Sequence, residues 1–320
     1  MVAATVAALT VTACGSSPDD GKLTVVASTN VWGSVAQAIA GDEIEVTSII
    51  DEPSADPHSF ETSPLQAAKI SDASLLVYNG GGYDGFVDDI LEAAGPGGET
   101  VNAFELMEGI HAEHDHGHSE EQDTESDHAG HDHEGHQHEG HQHGAVNEHV
   151  WFDVPTVDAA ATAIADKLAE LDPAGADGYR ARAEAFHADL QEITAITDGI
   201  AAAHPGVPVA QTEPLAHYLL ESVGARDLTP EDFTSAIEEG NAPAPAAIAD
   251  TRRILTDKQV RVLIYNVQTQ DRVTQDIRST AEAASIPVVE VTETLPEGQD
   301  YIQWQTANAT ALAEALETPA

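Results

Sequence analysis

Positive charge is what this sequence lacks most. Twelve Lys and Arg residues stand against 56 Asp and Glu in 320 residues, a formal net charge of −44. From Ile70 to Asp166 there is no Lys or Arg at all. Such a surface repels nucleic acid and anionic headgroups, which excludes nucleic acid as a partner, and it attracts cations. Acidity also serves solubility and salt adaptation, so by itself it does not identify a metal binder. Cysteine is almost missing: Cys14 is the only one, which excludes an intramolecular disulfide. Aromatic residues are only 5%, so the core is built mainly from Ala, Val, Ile and Leu. Past the N-terminus, no run reaches the ~18–20 apolar residues a membrane span needs. The patterns G-x-x-x-x-G-K-[ST], G-x-S-x-G, H-E-x-x-H and C-x-x-C are absent, so nothing argues for an enzyme.

What is present begins with Cys14 itself. Small and apolar residues run from Met1 to Ala13 and end in Val11-Thr12-Ala13-Cys14-Gly15. This reads as a lipoprotein signal, with Cys14 the lipidated residue and polar Ser16 to Gly21 a tether. The apolar run is short and no basic residue precedes it, so the true start is expected upstream. The expected location is extracytoplasmic, anchored to the membrane through Cys14.

Beyond the tether, strands and helices alternate. Leu23–Ala27, Ile44–Ile50 and Ser74–Tyr78 read as strands. Val31–Ala40, Glu61–Ser71 and Tyr83–Ala94 read as helices. Asp153 and Pro155 mark a helix start, Thr156–Leu171 continues it, and Pro173–Ala203 carries a long helical pattern. The scheme then repeats, with strands at Val207–Gln211, Val260–Tyr265 and Ile286–Val291. Helices are expected near Pro214–Val223, Pro245–Thr256, Gln270–Ala284 and Tyr301–Leu316. The pattern predicts an α/β protein: two lobes with parallel sheets joined by a long rigid helix, with a cleft between them. The expected boundaries are signal and tether 1–21, N-terminal lobe 22–154, connecting helices 155–204 and C-terminal lobe 205–320.

One segment breaks the pattern. Eleven His residues fall between His111 and His143 among Glu, Asp, Gly and Gln. This cannot build a core, so residues 111–146 are expected to form a disordered loop. His114, His116, His131, His133, His136 and His138 are candidates for weak auxiliary metal sites within it.

Four other residues stand at or after predicted strand ends. His58 lies in Asp56-Pro57-His58, where Pro57 stiffens the turn. His149 lies in Asn147-Glu148-His149-Val150-Trp151-Phe152-Asp153, where the aromatic residues can fix its ring and Asp153 can support it from behind. Glu213 follows one strand directly and Glu293 another. Taken singly, His58 reads sooner as an ordinary surface histidine than as a ligand, and Glu213, with Pro214 after it, as a helix-start carboxylate.

Together these segments resemble the cluster A-I solute-binding proteins of ABC importers, a family that binds zinc or manganese. The likeness runs from about Leu23 to the C-terminus. The D-P-H and N-x-H-x-W-x-D segments match the family's first two ligand positions, at His58 and His149. Glu213, five residues before Tyr218, matches the third, where zinc members carry His and manganese members Glu. Glu293 matches the fourth, usually Asp. The resemblance thus implies a metal set of His58, His149, Glu213 and Glu293, with His217 a substitute. Tyr265-Asn266-Val267-Gln268-Thr269 also resembles a family segment lining the cleft.

Imidazole and carboxylate together suit zinc, and carboxylate also suits manganese. The His-rich loop resembles that of zinc members, so Zn2+ is the expected ion and Mn2+ the alternative. The implied partner is an ABC importer permease, and the implied state a monomer. Binding is expected to weaken below about pH 6, where histidine protonates. Two rival readings are a metal-dependent hydrolase and a His-rich metal buffer with no importer.

Overall fold

The computed structural model describes residues 23–52, 57–115 and 146–318. In the first lobe the chain runs β1 (Val25–Thr29), α1 (Asn30–Ala40), β2 (Val46–Ile50), α2 (Pro64–Ser71), β3 (Leu75–Tyr78), α3 (Gly85–Ala94), β4 (Glu99–Asn102) and α4 (Ala103–Asp115). Two helices follow, α5 (Val154–Leu171) and α6 (Ala176–Ala203). The second lobe runs β5 (Pro208–Gln211), α7 (His217–Ser222), β6 (Arg226–Asp227), α8 (Glu231–Glu238), α9 (Pro245–Thr256), β7 (Leu263–Asn266), α10 (Arg272–Ala283), β8 (Val288–Val291) and α11 (Tyr301–Glu317).

Each lobe holds a four-stranded sheet, in the orders β2-β1-β3-β4 and β6-β5-β7-β8, with all pairings parallel. β1 and β3 are buried along their whole length, which is why Val25-Val26-Ala27 and Leu75-Leu76-Val77 read as continuous apolar runs rather than alternating ones. Helix starts are fixed locally. Ser63 with Gln66, Asp271 with Thr274 and Asp300 with Gln303 form reciprocal caps at α2, α10 and α11. The expected two-lobe α/β fold with parallel sheets is the observed one.

α6 has 28 residues, roughly 42 Å of helix. It starts at Ala176 rather than Pro173. Pro173 lies in a turn tied by Asp172, which accepts from Ala174 N at 3.2 Å and from the Tyr179 hydroxyl at 2.8 Å. One apolar core runs through both lobes: Trp32 and Val35 of α1, Leu190 and Ile193 of α6, Val209 and Ile264 of the second sheet and Leu312 of α11 belong to it. Two smaller cores lie on the outer sheet faces, one under α8, α9 and α10, the other under α2 and α3.

α4 extends to Asp115, so the His-rich segment starts inside a helix. The expected loop beginning at 111 is corrected to that extent: Met107 and Ala103 seat the helix in the core, and the helix continues through His111. The remainder of the His-rich segment lies outside the described residues. No helix among the described residues is long and apolar enough to cross a membrane.

Candidate metal centre

The carboxyl ends of both sheets converge on one place, where open α/β sheets collect ligands. His58 sits in a short helical turn, Pro57–Ser59, after β2. The turn after β3 contributes Tyr83, the segment before α5 contributes His149, and the loop after β8 contributes Glu293. A nitrogen or carboxylate oxygen from each of His58, His149 and Glu293 lies within 4.8 Å of the others. His149 and Glu293 are 2% and 3% exposed, whereas the His58 side chain is 21% exposed.

Aromatic packing holds the rings. Tyr83 lies 5.0 Å from the His58 ring and 6.0 Å from that of His149, both edge-on. Trp151 packs 5.2 Å from His149 and 4.5 Å from Tyr83. Burial pushes His149 well below its ordinary 6.5, and the neighbouring His58 and His217 add to this. Burial therefore favours the neutral ring, the form that binds metal.

Asn147 sets the tautomer. Its Oδ1 lies 3.1 Å from His149 Nδ1 and accepts the His149 backbone N–H at 3.0 Å. Its Nδ2 donates to the Pro214 carbonyl at 2.9 Å, and proline has only that acceptor to offer. The amide orientation is thus fixed, Nδ1 carries the proton, and Nε2 keeps its lone pair. Asp153 does not play the supporting part expected for it. It caps α5 by accepting from Thr156 and lies 3.9 Å from His111.

Glu293 is held in the second lobe by the end of β7 and the segment that follows it. Asn266 Nδ2 donates to Oε1 at 2.8 Å, and the Tyr83 hydroxyl reaches Oε2 at 3.5 Å. The Glu293 backbone N–H donates to Gln268. Gln268 is fixed in turn by Asn266 Oδ1 at 2.9 Å. Glu213 is buried and accepts from the Thr269 hydroxyl. It lines the same cleft, but it is outside the two close donor groups found among the described residues. His217 lies apart, half-exposed at the start of α7, in an adjoining recess with His111 and Glu221. His116, His131, His133, His136, His138 and Cys14 lie outside the described residues, as does the side chain of His114.

Two carboxyl groups at the centre were not anticipated. Glu148, 6% exposed, places Oε1 3.2 Å from His58 Nδ1. Glu238, at the end of α8, lies 3.9 Å from His149 Nδ1. Together with His149 they form a second close donor group. Burial, with Asp84 nearby, raises Glu148 to about 7. Burial, with Glu148, Glu213 and Glu239 nearby, raises Glu238 to about 8. The cleft in front of the centre holds about 700 Å3 and is lined by His58, Glu213, Glu238, Asp271 and Glu293 among others, with no Lys or Arg. Such a pocket stabilises a cation and disfavours an anion.

The model of one protein family, described as the periplasmic component A of a zinc-uptake complex (ZnuA), matches residues 25–315. The chain belongs to the ZnuA family. Membership places it among the binding components of uptake systems and not among enzymes. It is 25% identical over 324 residues to the high-affinity zinc uptake protein ZnuA of Bacillus subtilis, covering 96% of this chain and 94% of that one. It is 30% identical over 179 residues to the manganese-binding lipoprotein MntA of Halalkalibacterium halodurans, a span of 56% of this chain and only about half (50%) of that relative. The ZnuA-family fold is shared with the periplasmic zinc-binding protein TroA of Treponema pallidum, at TM-score 0.72 and 15% identity over 93% of this chain and all (100%) of that one.

Proposed function

We propose that this protein captures a divalent cation outside the cell membrane and delivers it to the permease of an ABC importer, and that the ion is zinc. One observation carries the reading: the His58–His149–Glu293 donor trio lies where the carboxyl ends of two parallel sheets meet, in a fold of the ZnuA family. Two imidazoles and a carboxylate suit zinc, and Glu213, which lines the same cleft, is the candidate fourth donor. The His-rich segment supports zinc further, because imidazole favours zinc over manganese.

Attachment through a lipid on Cys14 is part of the proposal. Its support is the Val-Thr-Ala-Cys pattern and the lipoprotein names of several relatives. Manganese is the second reading. It rests on four carboxyl groups, Glu148, Glu213, Glu238 and Glu293, around the two histidines, and oxygen donors suit that ion.

Competition titration of Zn2+ against Mn2+ on the full chain, repeated on His149→Ala and Glu213→Ala, tests the reading. One tight zinc site lost in His149→Ala, by at least about 100-fold, is the expected result. Weaker zinc binding in Glu213→Ala makes that residue a ligand; unchanged binding removes it from the set. Tight manganese binding with weak zinc binding overturns the metal but keeps the family role. A His-rich buffer predicts instead that His149→Ala changes little, since nearly all capacity then lies in residues 111–143.

A further inference from the structure

The two histidines of the trio are not held alike. Asn147 fixes His149 through Nδ1, as described. His58 sits in a three-residue turn, and its ring is more exposed than that of His149. A ligand on so short a turn needs an orienting contact if it is to meet the ion at a defined angle. The two ring nitrogens of His58 face different carboxylates. Nε2 is 3.7 Å from Glu293 Oε2, across the donor trio. Nδ1 is 3.2 Å from Glu148 Oε1, on the opposite side of the ring from the trio's carboxylate.

Glu148 is built to stay in place. Its backbone carbonyl accepts from Asn79 Nδ2 at 2.8 Å and from the Val150 N–H at 2.8 Å. Asn79 is itself anchored by Trp32 Nε1 at 3.2 Å. The oxygen facing His58 is buried and makes no hydrogen bond of its own. A buried carboxylate oxygen left without a hydrogen bond is costly, and such atoms are rare enough to need a reason.

We propose that Glu148 is the positioning residue of His58: its Oε1 accepts the Nδ1 proton when Nε2 binds the ion. The inference rests on the metal-binding reading above. Ion binding at Nε2 leaves the proton on Nδ1, and a small turn of the ring converts the 3.2 Å approach into a hydrogen bond. The tripeptide Asn147-Glu148-His149 then supplies one ligand and orients both histidines. Asn147 holds the ring of its own segment, and Glu148 reaches the ring of the other.

The test uses the full chain with Zn2+ as probe, in competition with a chelating dye, on the wild type, Glu148→Ala and Glu148→Gln. Glutamine keeps an acceptor oxygen but not the charge. Glu148→Ala should bind zinc about 10–100-fold more weakly, while Glu148→Gln should restore affinity to within about 3-fold of wild type. In the zinc-loaded protein labelled with 15N-histidine, the His58 resonances should show a hydrogen-bonded Nδ1–H in the wild type and in Glu148→Gln. That signal should shift to a solvent-exchanging N–H in Glu148→Ala. Glu148→Gln binding as weakly as Glu148→Ala would overturn the assignment and make Glu148 a direct ligand. Wild-type affinity in Glu148→Ala, or a His58 metallated at Nδ1, would also overturn it. A wild type without any tight site defeats the metal-binding reading itself, which no behaviour of the variants alone can do.

Discussion

At the scale of single residues, two carboxyl groups carry an energetic load whenever no cation is bound. Glu238 is raised from 4.5 to about 8 and Glu148 from 4.5 to about 7, in both cases first by burial. The unfolded chain ionises these groups near 4.5, whereas the folded protein keeps them protonated to higher pH. Between those values the folded state holds more protons, so folding stability of the metal-free protein falls as pH rises through about 4.5 to 8. Glu238→Gln removes one such ionisation. It should raise the melting temperature of the metal-free protein at pH 8.5 and leave it unchanged near pH 4. An equal shift at both pH values would show that Glu238 carries no such load. Cation binding that ionises these carboxyls releases protons, so calorimetry at pH 7 in buffers of differing ionisation enthalpy should give buffer-dependent heats.

These residues also show where sequence reasoning stops. His58 and His149 stand out because a histidine sits in a stiff turn after a strand or beside aromatics, and Glu293 because it follows a buried strand directly. Glu148 sits beside His149, and its side chain reaches back to the other histidine through a turn that spacing does not reveal. Glu238 is one acid among 56, on a helix too short to show a clear period.

At the scale of elements, the turn after β3 supports the centre, since Tyr83 reaches Glu293 and Asn79 ties the Glu148 carbonyl. Gly80, Gly81 and Gly82 all have positive φ, at 76°, 67° and 95°. Asp84 gathers the N–H groups of Asn79 and Gly80 at 2.7 and 2.8 Å. A Cβ on Gly80 would lie 2.2 Å from Asn102 Oδ1. Gly80→Ala should therefore cost roughly 1–3 kcal/mol in denaturant unfolding. It should also weaken zinc binding, because the displaced Asn79 no longer ties Glu148. Unchanged stability would show that the turn tolerates a side chain.

The elements legible in the sequence share a cause. β1, β3 and β7 are buried throughout and rich in Val, Leu and Ile because both faces are covered, and α5 and α11 carry long apolar stripes. The unread elements lack such signals. β4 is Glu-Thr-Val-Asn with only Val101 buried, and β6 is two exposed residues. α8 buries only Phe233, Thr234 and Ile237. Their places are set by neighbours, through parallel pairing to β3 and β5, and not by their own pattern.

At the scale of the molecule, the lobes are joined by more than α6. Asn30 makes two hydrogen bonds with the Leu295 backbone, at 3.2 and 3.0 Å. Tyr301 and Gln305 both donate to the Trp151 carbonyl, at 2.7 and 3.3 Å. With a core common to both lobes, ion capture should move loops and the outer helices rather than whole lobes. X-ray scattering should show a radius of gyration that changes by less than about 1 Å on zinc binding. A larger contraction would mean that the lobes hinge. Asn30→Ala leaves two backbone groups of Leu295 unpaired and should cost about 1–3 kcal/mol.

α11 lies far from β1 in the chain, yet Tyr301 donates its N–H to Ser34 on α1 and stacks near Phe186 on α6. Trp304 packs 5.7 Å from Phe152. The first lobe therefore borrows its last wall from residues 301–317. During synthesis it can gather its strands early but cannot seal them until those residues emerge. Until α11 has emerged the first lobe therefore stays unsealed on that side, and its folding is tied to a helix that starts 267 residues beyond Ser34.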